Sequence, residues 1–330
     1  MKECNVYDEN LQRIGTIGTW VSLLWNEGYS TLGTFVIEVQ QTKKAAQLLK
    51  VGNYIGRSDF DTLCLIRSVE VNDGKIVANG HPAKGILKER VSTKVINNQN
   101  AENALRELVS SMAAWPCVAL GNSANLADVF SREISDKTLL EYCEEICAEI
   151  DAGFRLRFDR QNKKLLFELY KPTENKNLIF AEKFRNLSEV VYSETDNDYK
   201  NVAIVAGAGE GENRITVTVG DTASTGAKRR ELYVDARSLQ KEEGESDEAY
   251  KTRLKNHGLE KLAEHVFIQN AEAVINSANF GTRFFLGDIV TLNLEAIGVK
   301  MQTRIIGFSL TSENNGEEIE IEYGTPIIRR

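Results

Sequence analysis

The sequence predicts a mainly β, α+β chain in which two β-rich segments flank a compact αβ module. Three observations carry this reading. Short strand-like runs separated by turn residues fill about residues 1–95, two helical stripes and a hairpin fill about 96–183, and strands return over 184–330, broken by a helical stretch near 236–279.

In the first segment, Asn5-Val6-Tyr7, the turn Asp8-Glu9-Asn10 and Leu11 to Ile14 read as a short hairpin. The mostly apolar run Trp20 to Trp25 lies between Gly18 and Gly28. Gly33 to Val39 places Phe35, Ile37 and Val39 on one face of a strand, because side chains alternate across the sheet. Leu63 to Val71 turns at Asn72-Asp73-Gly74 into Lys75 to Ala78, a hairpin with suitable turn chemistry. Strands this short and this closely spaced predict a barrel or sandwich.

The middle segment changes period. Ala101, Leu105, Leu108, Val109 and Met112 recur at helical spacing and stop before Pro116, which cannot continue a helix. Leu139, Leu140, Cys143, Ile146, Cys147 and Ile150 form a second stripe, for which Ser135 or Asp136 is the expected N-cap and Gly153 lies past the end. Phe154, Leu156 and Phe158 then alternate out to Asp159-Arg160-Gln161-Asn162, and Leu165, Phe167 and Leu169 alternate back.

The last segment offers strands at Ser188–Glu194, Asn201–Ala206, Arg214–Val219 and Glu231–Val234. Gln240 to Asn276 reads as an acidic linker, an N-cap at Ser246 and two helices separated by Gly258. Strands resume at Asp288–Leu294, and Gln302–Thr311 is expected to pair with Glu317–Tyr323 across Asn314-Asn315-Gly316.

Composition narrows the function. At 330 residues, 42% hydrophobic and 27% charged, the chain has the make-up of a folded protein of two or three domains. No run of about 18 apolar residues predicts a membrane helix. The opening Met1-Lys2-Glu3-Cys4-Asn5 has no apolar core of a secretory leader. Five cysteines, an odd count, read as reduced thiols of a chain made in the cytoplasm. Forty Lys and Arg against 48 Asp and Glu give a net charge of −8. Its longest basic block is Lys228-Arg229-Arg230, too little to displace phosphate counterions, so specific nucleic-acid binding is not expected.

No catalytic set emerges from the motifs. Gly207-Ala208-Gly209-Glu210-Gly211-Glu212 lacks the third glycine of a dinucleotide loop and precedes a strand instead of a helix, so it reads as a hairpin loop. Cys143 and Cys147 share an apolar helix face and read as core. His257 and His265 lack the spacing of a metal site. Ser58 and Ser123 lack the second glycine of a nucleophile elbow. Asp59/Asp61 and Asp196/Asp198 sit where turn-forming residues are common. Glu313, Glu317, Glu318, Glu320 and Glu322, interleaved with Ile319 and Ile321, predict a strand with one charged face and one apolar face. The reading therefore expects no enzyme activity and no catalytic, cofactor-binding or metal-binding residues.

The arrangement resembles a known family. Tyr7-Asp8, Ile14-Gly15, Trp20 to Trp25 and Gly33 to Ile37 look like the opening of tail proteins of siphophages and prophages. Glu194 to Gly207 is similar to the strand pair that opens their second β domain, and Leu286 to Val290 with Ile319 to Pro326 looks like its end. The family is related in fold to the baseplate hub proteins of contractile tails. The resemblance implies two tube-forming β-barrel-like domains (1–95 and 184–330), an αβ domain between them (96–183) and a helical insertion in the second barrel. It further implies a homotrimeric, pseudo-sixfold ring in the virion tail, joined to tail-tube or distal-tail and tip or fibre proteins and lining a channel through which DNA only passes. Some hub relatives carry C-terminal peptidoglycan-cleaving or fibre modules; the last strand ending just before Arg330 predicts none here. The alternative is a module that binds or hydrolyses cell-envelope glycan, for which a cleft with exposed aromatics and two carboxylates would speak.

Overall fold

In the computed structural model, residues 2–324 are described except 112–114, 173, 210, 212–213, 266, 276–278 and 314–315. The strands of the first segment are β1 (Cys4–Tyr7), β2 (Arg13–Ile17), β3 (Ser22–Gly28) and β4 (Phe35–Gln40), followed by the short helix α1 (Lys43–Leu48) and by β5 (Tyr54–Arg57), β6 (Cys64–Asn72) and β7 (Lys75–Pro82). A 3-10 turn spans Ala83–Glu89. The middle holds β8 (Val91–Ser92), β9 (Ile96–Asn100), α2 (Ala101–Ser111), β10 (Val118–Leu120), β11 (Val129–Ile134), β12 (Lys137–Thr138), α3 (Leu139–Glu149), β13 (Gly153–Asp159) and β14 (Lys164–Tyr170). Next come β15 (Glu174–Ala181), β16 (Leu187–Thr195), β17 (Val202–Ala206), β18 (Thr216–Gly220), β19 (Glu231–Asp235), α4 (Asp247–Ala263), β20 (Ile268–Ile275), β21 (Ile289–Leu294), β22 (Val299–Glu313) and β23 (Gly316–Tyr323). The chain is mainly β, as its alternating patterns predict. It divides into two compact units, residues 1–191 with 271–330, and residues 192–270.

In the first unit one hydrogen-bonded path runs β16-β20-β23-β22-β3-β4-β7-β6-β5-β1-β2, with β21 attached to β22 and β15 to β21. Two readings are corrected here. The first and last β segments are not separate sheets: β3 and β22 pair antiparallel from Gly28↔Gly307 to Ser22↔Glu313. Nor does the middle module end cleanly near 183, because β15 runs parallel to β21 of the last segment. Both are long-range pairings that no local pattern encodes. The alternation itself holds: Leu23, Trp25, Phe35, Ile37, Leu310, Ile319 and Ile321 are buried.

The αβ module packs α2 and α3 onto the sheet β10-β14-β13. Leu105, Leu108, Cys143, Ile146, Cys147, Phe154 and Phe167 share one buried cluster with Tyr7, Leu63 and Leu87 of the first segment. Helix α3 begins two or three residues later than expected. Its N-cap is Thr138, whose hydroxyl accepts from the Glu141 amide while the Glu141 carboxylate accepts from the Thr138 amide, satisfying two of the helix's orphan donors.

The second unit is the sheet β18-β17-β19 with α4 against it, around Val205, Val217, Val219, Tyr250 and Leu254. The two helices expected on either side of Gly258 are one helix. A Cβ at Gly258 would lie 2.3 Å from Val205 Cγ2 and 2.9 Å from Val219 Cγ2, so glycine serves close helix–sheet packing here and does not break the helix.

Candidate functional site

A buried charged site of the first unit starts from an anomaly in β3. Alternation puts Leu23, Trp25 and Glu27 on the same inner face, so a carboxylate follows two core residues inward. Glu27 is buried and accepts a 3.2 Å hydrogen bond from Thr62 Oγ1. Burial pushes its carboxyl up, with the Lys84 charge opposing. Lys84, buried in the 3-10 turn, donates through Nζ to the carbonyls of Gly28 (2.6 Å) and Phe154 (3.4 Å) and sits 4.6 Å from the centre of the Phe154 ring. Burial pushes Lys84 down, and Glu27 opposes that shift. Beside them a cavity of about 350 Å³ is walled by Phe60, Tyr170, Phe280 and Phe308. Phe60 meets Trp25 and Phe308 edge-on at 5.3 and 5.8 Å.

At the cavity's edge Arg57, only 1% exposed, forms two 2.7 Å bonds with Asp59 and a 2.6 Å bond to Glu317 of β23. Lys2 joins the same two carboxylates. Asp61 pairs with Arg155 at 3.3 Å, and Arg155 also binds Glu168, which Arg157 holds as well. Burial raises Glu168, yet bonds and charge from Arg157 and Arg155 bring it below the ordinary value. Lys84 is committed to backbone carbonyls, Glu27 to a hydroxyl and Asp59 to a guanidinium. The chemistry on display is fastening: these charges tie β3, β5, β13 and β23 together.

The remaining motifs resolve into local roles. Ser123 donates to Glu102, whose buried carboxylate also accepts from the amides of Ala124 and Leu126 and so shapes that loop. Ser58 accepts from the Glu3 amide. Cys143 and Cys147 are fully buried; burial pushes both thiols up, Cys147 to about 12. His257 lies 3.7 Å from Glu260, and His265 contacts the Asp198 carbonyl at 3.0 Å. Asp196 pairs with Arg230 at 2.6 Å. Gly207 and its neighbours join the antiparallel strands β17 and β18, while Glu210 and Glu212 lie outside the described residues, as do Asn314 and Asn315. Among the described residues no group of three or more His, Cys, Asp or Glu is placed to hold a metal, and no helix is long and apolar enough to cross a membrane.

Sequence reasoning passed over Glu27, Lys84, Arg57 and Glu102. For Glu27 the signal was present: a carboxylate in step with Leu23 and Trp25. For Lys84, whose partners lie on distant segments, no local signal exists; Arg57 has a partner two residues away in Asp59, but its bond to Glu317 joins distant segments.

The other face of the long sheet is polar. Register places Glu318, Glu320 and Glu322 of β23 beside Thr311, Ser309 and Gly307 of β22, then Leu24, Asn26 and Gly28 of β3. Val36 and Glu38 of β4, Lys75, Val77 and Asn79 of β7 and Ser68 and Glu70 of β6 continue it. Among these register-paired positions Lys75 is the cation, and it is bonded to Glu38 at 2.5 Å. Arg67, in the bulge of β6, pairs with Glu89.

This architecture is that of phage tail and baseplate proteins. The chain is similar in fold to the 43 kDa tail protein of prophage MuSo2 from Shewanella oneidensis, at 12% identity and a TM-score of 0.65 over 98% of each chain. It is similar to the tail protein from Neisseria meningitidis MC58, at 10% identity and a TM-score of 0.64 over 98% of this chain and 96% of that one. A chain of the phage P2 baseplate in its activated conformation with Ca matches at 10% identity and a TM-score of 0.52, over 98% of each chain. No curated protein sequence matches. Residues 3–325 match the family described as Siphovirus ReqiPepy6 Gp37-like protein, and the chain belongs to that family.

Proposed function

We propose that this protein is a structural subunit of a phage or prophage tail tip, three copies of which close a pseudo-sixfold ring that joins the tail tube to the tip and lines the DNA channel. One observation carries the reading. In the long sheet the four strands β16-β20-β23-β22 of the last segment meet the four strands β3-β4-β7-β6 of the first at β22–β3, and β5-β1-β2 continue the path beyond β6. These two groups of strands are the cores of the two proposed tube-forming domains, with the αβ module between them in sequence and the compact unit 192–270 as the insertion in the second. With the two groups taken as equivalent, three copies give six wall segments.

The polar face of the sheet suits a channel wall. Glu38, Glu70, Glu318, Glu320 and Glu322 repel phosphate, and the paired Lys75 offers little to retain it. The ends of the two groups also fit a ring. Among the described residues β5 covers β6 at Leu65 and Cys64 and no strand pairs with the far edge of Ser68–Asn72, beyond the bulge at Arg67, while β16 ends the path at the other side. Val71 and Val191 on these edges are 54% and 60% exposed. An open edge bearing exposed valines invites pairing, and head-to-tail pairing of β6 with β16 of the next copy satisfies both edges. Other tail proteins are the expected partners, DNA a passing cargo, and the role non-enzymatic.

Image reconstruction of tails carrying this protein tests the reading. Three copies around the axial channel are expected; a position off the axis, or another copy number, would refute it.

A further inference from the structure

We infer that the second unit carries a binding site for an uncharged oligosaccharide, in the cavity of about 640 Å³ bordered by Tyr199, Phe267, Asp221, Lys228 and Arg230. This inference does not rest on the ring reading. The cavity's walls are built before any ligand arrives. Asn201, at the start of β17, donates from Nδ2 to Ser224 Oγ (2.9 Å) and to the Lys228 carbonyl (2.8 Å), and its Oδ1 accepts from the Arg230 amide (2.8 Å). One side chain thus fixes the loop 221–230. Opposite it, Arg230 donates to the Asp196 carbonyl and pairs with its carboxylate, both at 2.6 Å, and the Lys200 amide bonds the His265 carbonyl at 2.9 Å.

The groups left over define the ligand. Phe267 keeps 39% of its surface exposed at the cavity, an apolar plane that the fold leaves uncovered. Asp221 is engaged by Ser224 through Oδ2 alone. The Lys228 ammonium and the Tyr199 hydroxyl have no side-chain partner among the described residues. An aromatic plane beside spaced donors and acceptors matches a sugar ring, whose C–H face is apolar and whose rim is hydroxyls. A purely apolar ligand would strand the polar groups without hydrogen bonds. A polyanion would meet Asp196 and Asp221. A metal would find one carboxylate already committed to Arg230.

Saturation-transfer NMR on the full chain, with N-acetylglucosamine trimer, cellotriose and maltotriose each at about 10 mM, tests the site. Transfer to at least one trisaccharide is expected, with affinity falling about tenfold in both Phe267→Ala and Asp221→Asn, the second a near-isosteric change that keeps the loop folded. Unchanged thermal unfolding of D221N separates lost binding from lost structure. Transfer to none of the three sugars, or transfer that survives both substitutions, overturns the inference.

Discussion

Arg304 of β22 grips Asp151, just past α3, through two parallel bonds, Nε to Oδ1 at 2.8 Å and Nη2 to Oδ2 at 2.5 Å, across 153 residues of chain. Its remaining nitrogen donates to the carbonyls of Gly287 and Pro172, and its guanidinium lies 5.1 Å from the centre of the Tyr29 ring. Asp151 is half exposed, whereas the arginine side chain is 5% exposed. The arginine therefore matters more than the pair.

Arg304→Ala is expected to destabilise the first unit by about 3 kcal/mol, because it strands two carbonyls as well as a carboxylate. Asp151→Asn should cost about 1 kcal/mol or less, since water screens that end. Urea denaturation of both variants checks the asymmetry; equal losses would contradict it.

Glu168 sets a pH dependence. Its folded pKa lies below the ordinary 4.5, against the effect of burial, because Arg157 and Arg155 hold the ionised form. A depressed carboxylate contributes stability that is fully present above the unfolded value and lost as pH falls through the folded one. Stability should therefore decline from about pH 4.5 downward, and Glu168→Gln should flatten that decline while lowering stability near pH 7. Urea midpoints across this range supply the measurement.

Gly258→Ala reverses a common expectation. In an open helix the change gains about 1 kcal/mol. Here the added methyl would stand 2.3 Å from Val205 Cγ2, so a loss of about 1–3 kcal/mol is expected instead. Thermal unfolding of the variant decides the sign.

Much of the fold was legible because it is local. The hairpins β6–β7, β13–β14 and β22–β23 follow from alternation and turn residues, and α2 follows from its stripe and from Pro116. What failed was a matter of distance or of single atoms. The Gly258 reading applied a helix-breaking rule where packing against Val205 governs, and the N-cap reading overlooked the reciprocal pair Thr138 and Glu141. The joining of β3 to β22 depends on segments almost a chain length apart. Glu27 was readable in principle, as a charge in register with core residues; its neighbour Lys84 became meaningful only once Phe154 and Gly28 were brought to it.

The proposed ring makes its own demand on two exposed valines. Val71, on the open stretch of β6, and Val191, on β16, cost the isolated chain apolar exposure. Charged side chains on open edges are how proteins discourage strand pairing. Val71→Lys and Val191→Lys should each leave the monomer's stability within about 0.5 kcal/mol, because neither side chain is packed. Each should also exclude the protein from assembled tails, since a lysine at the junction obstructs strand pairing. Complementation of a phage lacking the protein, followed by quantification of the protein in purified particles, reads the outcome. Incorporation of both variants at wild-type levels would show that β6 and β16 are not the junction, and the copy number in those particles would still test the ring independently.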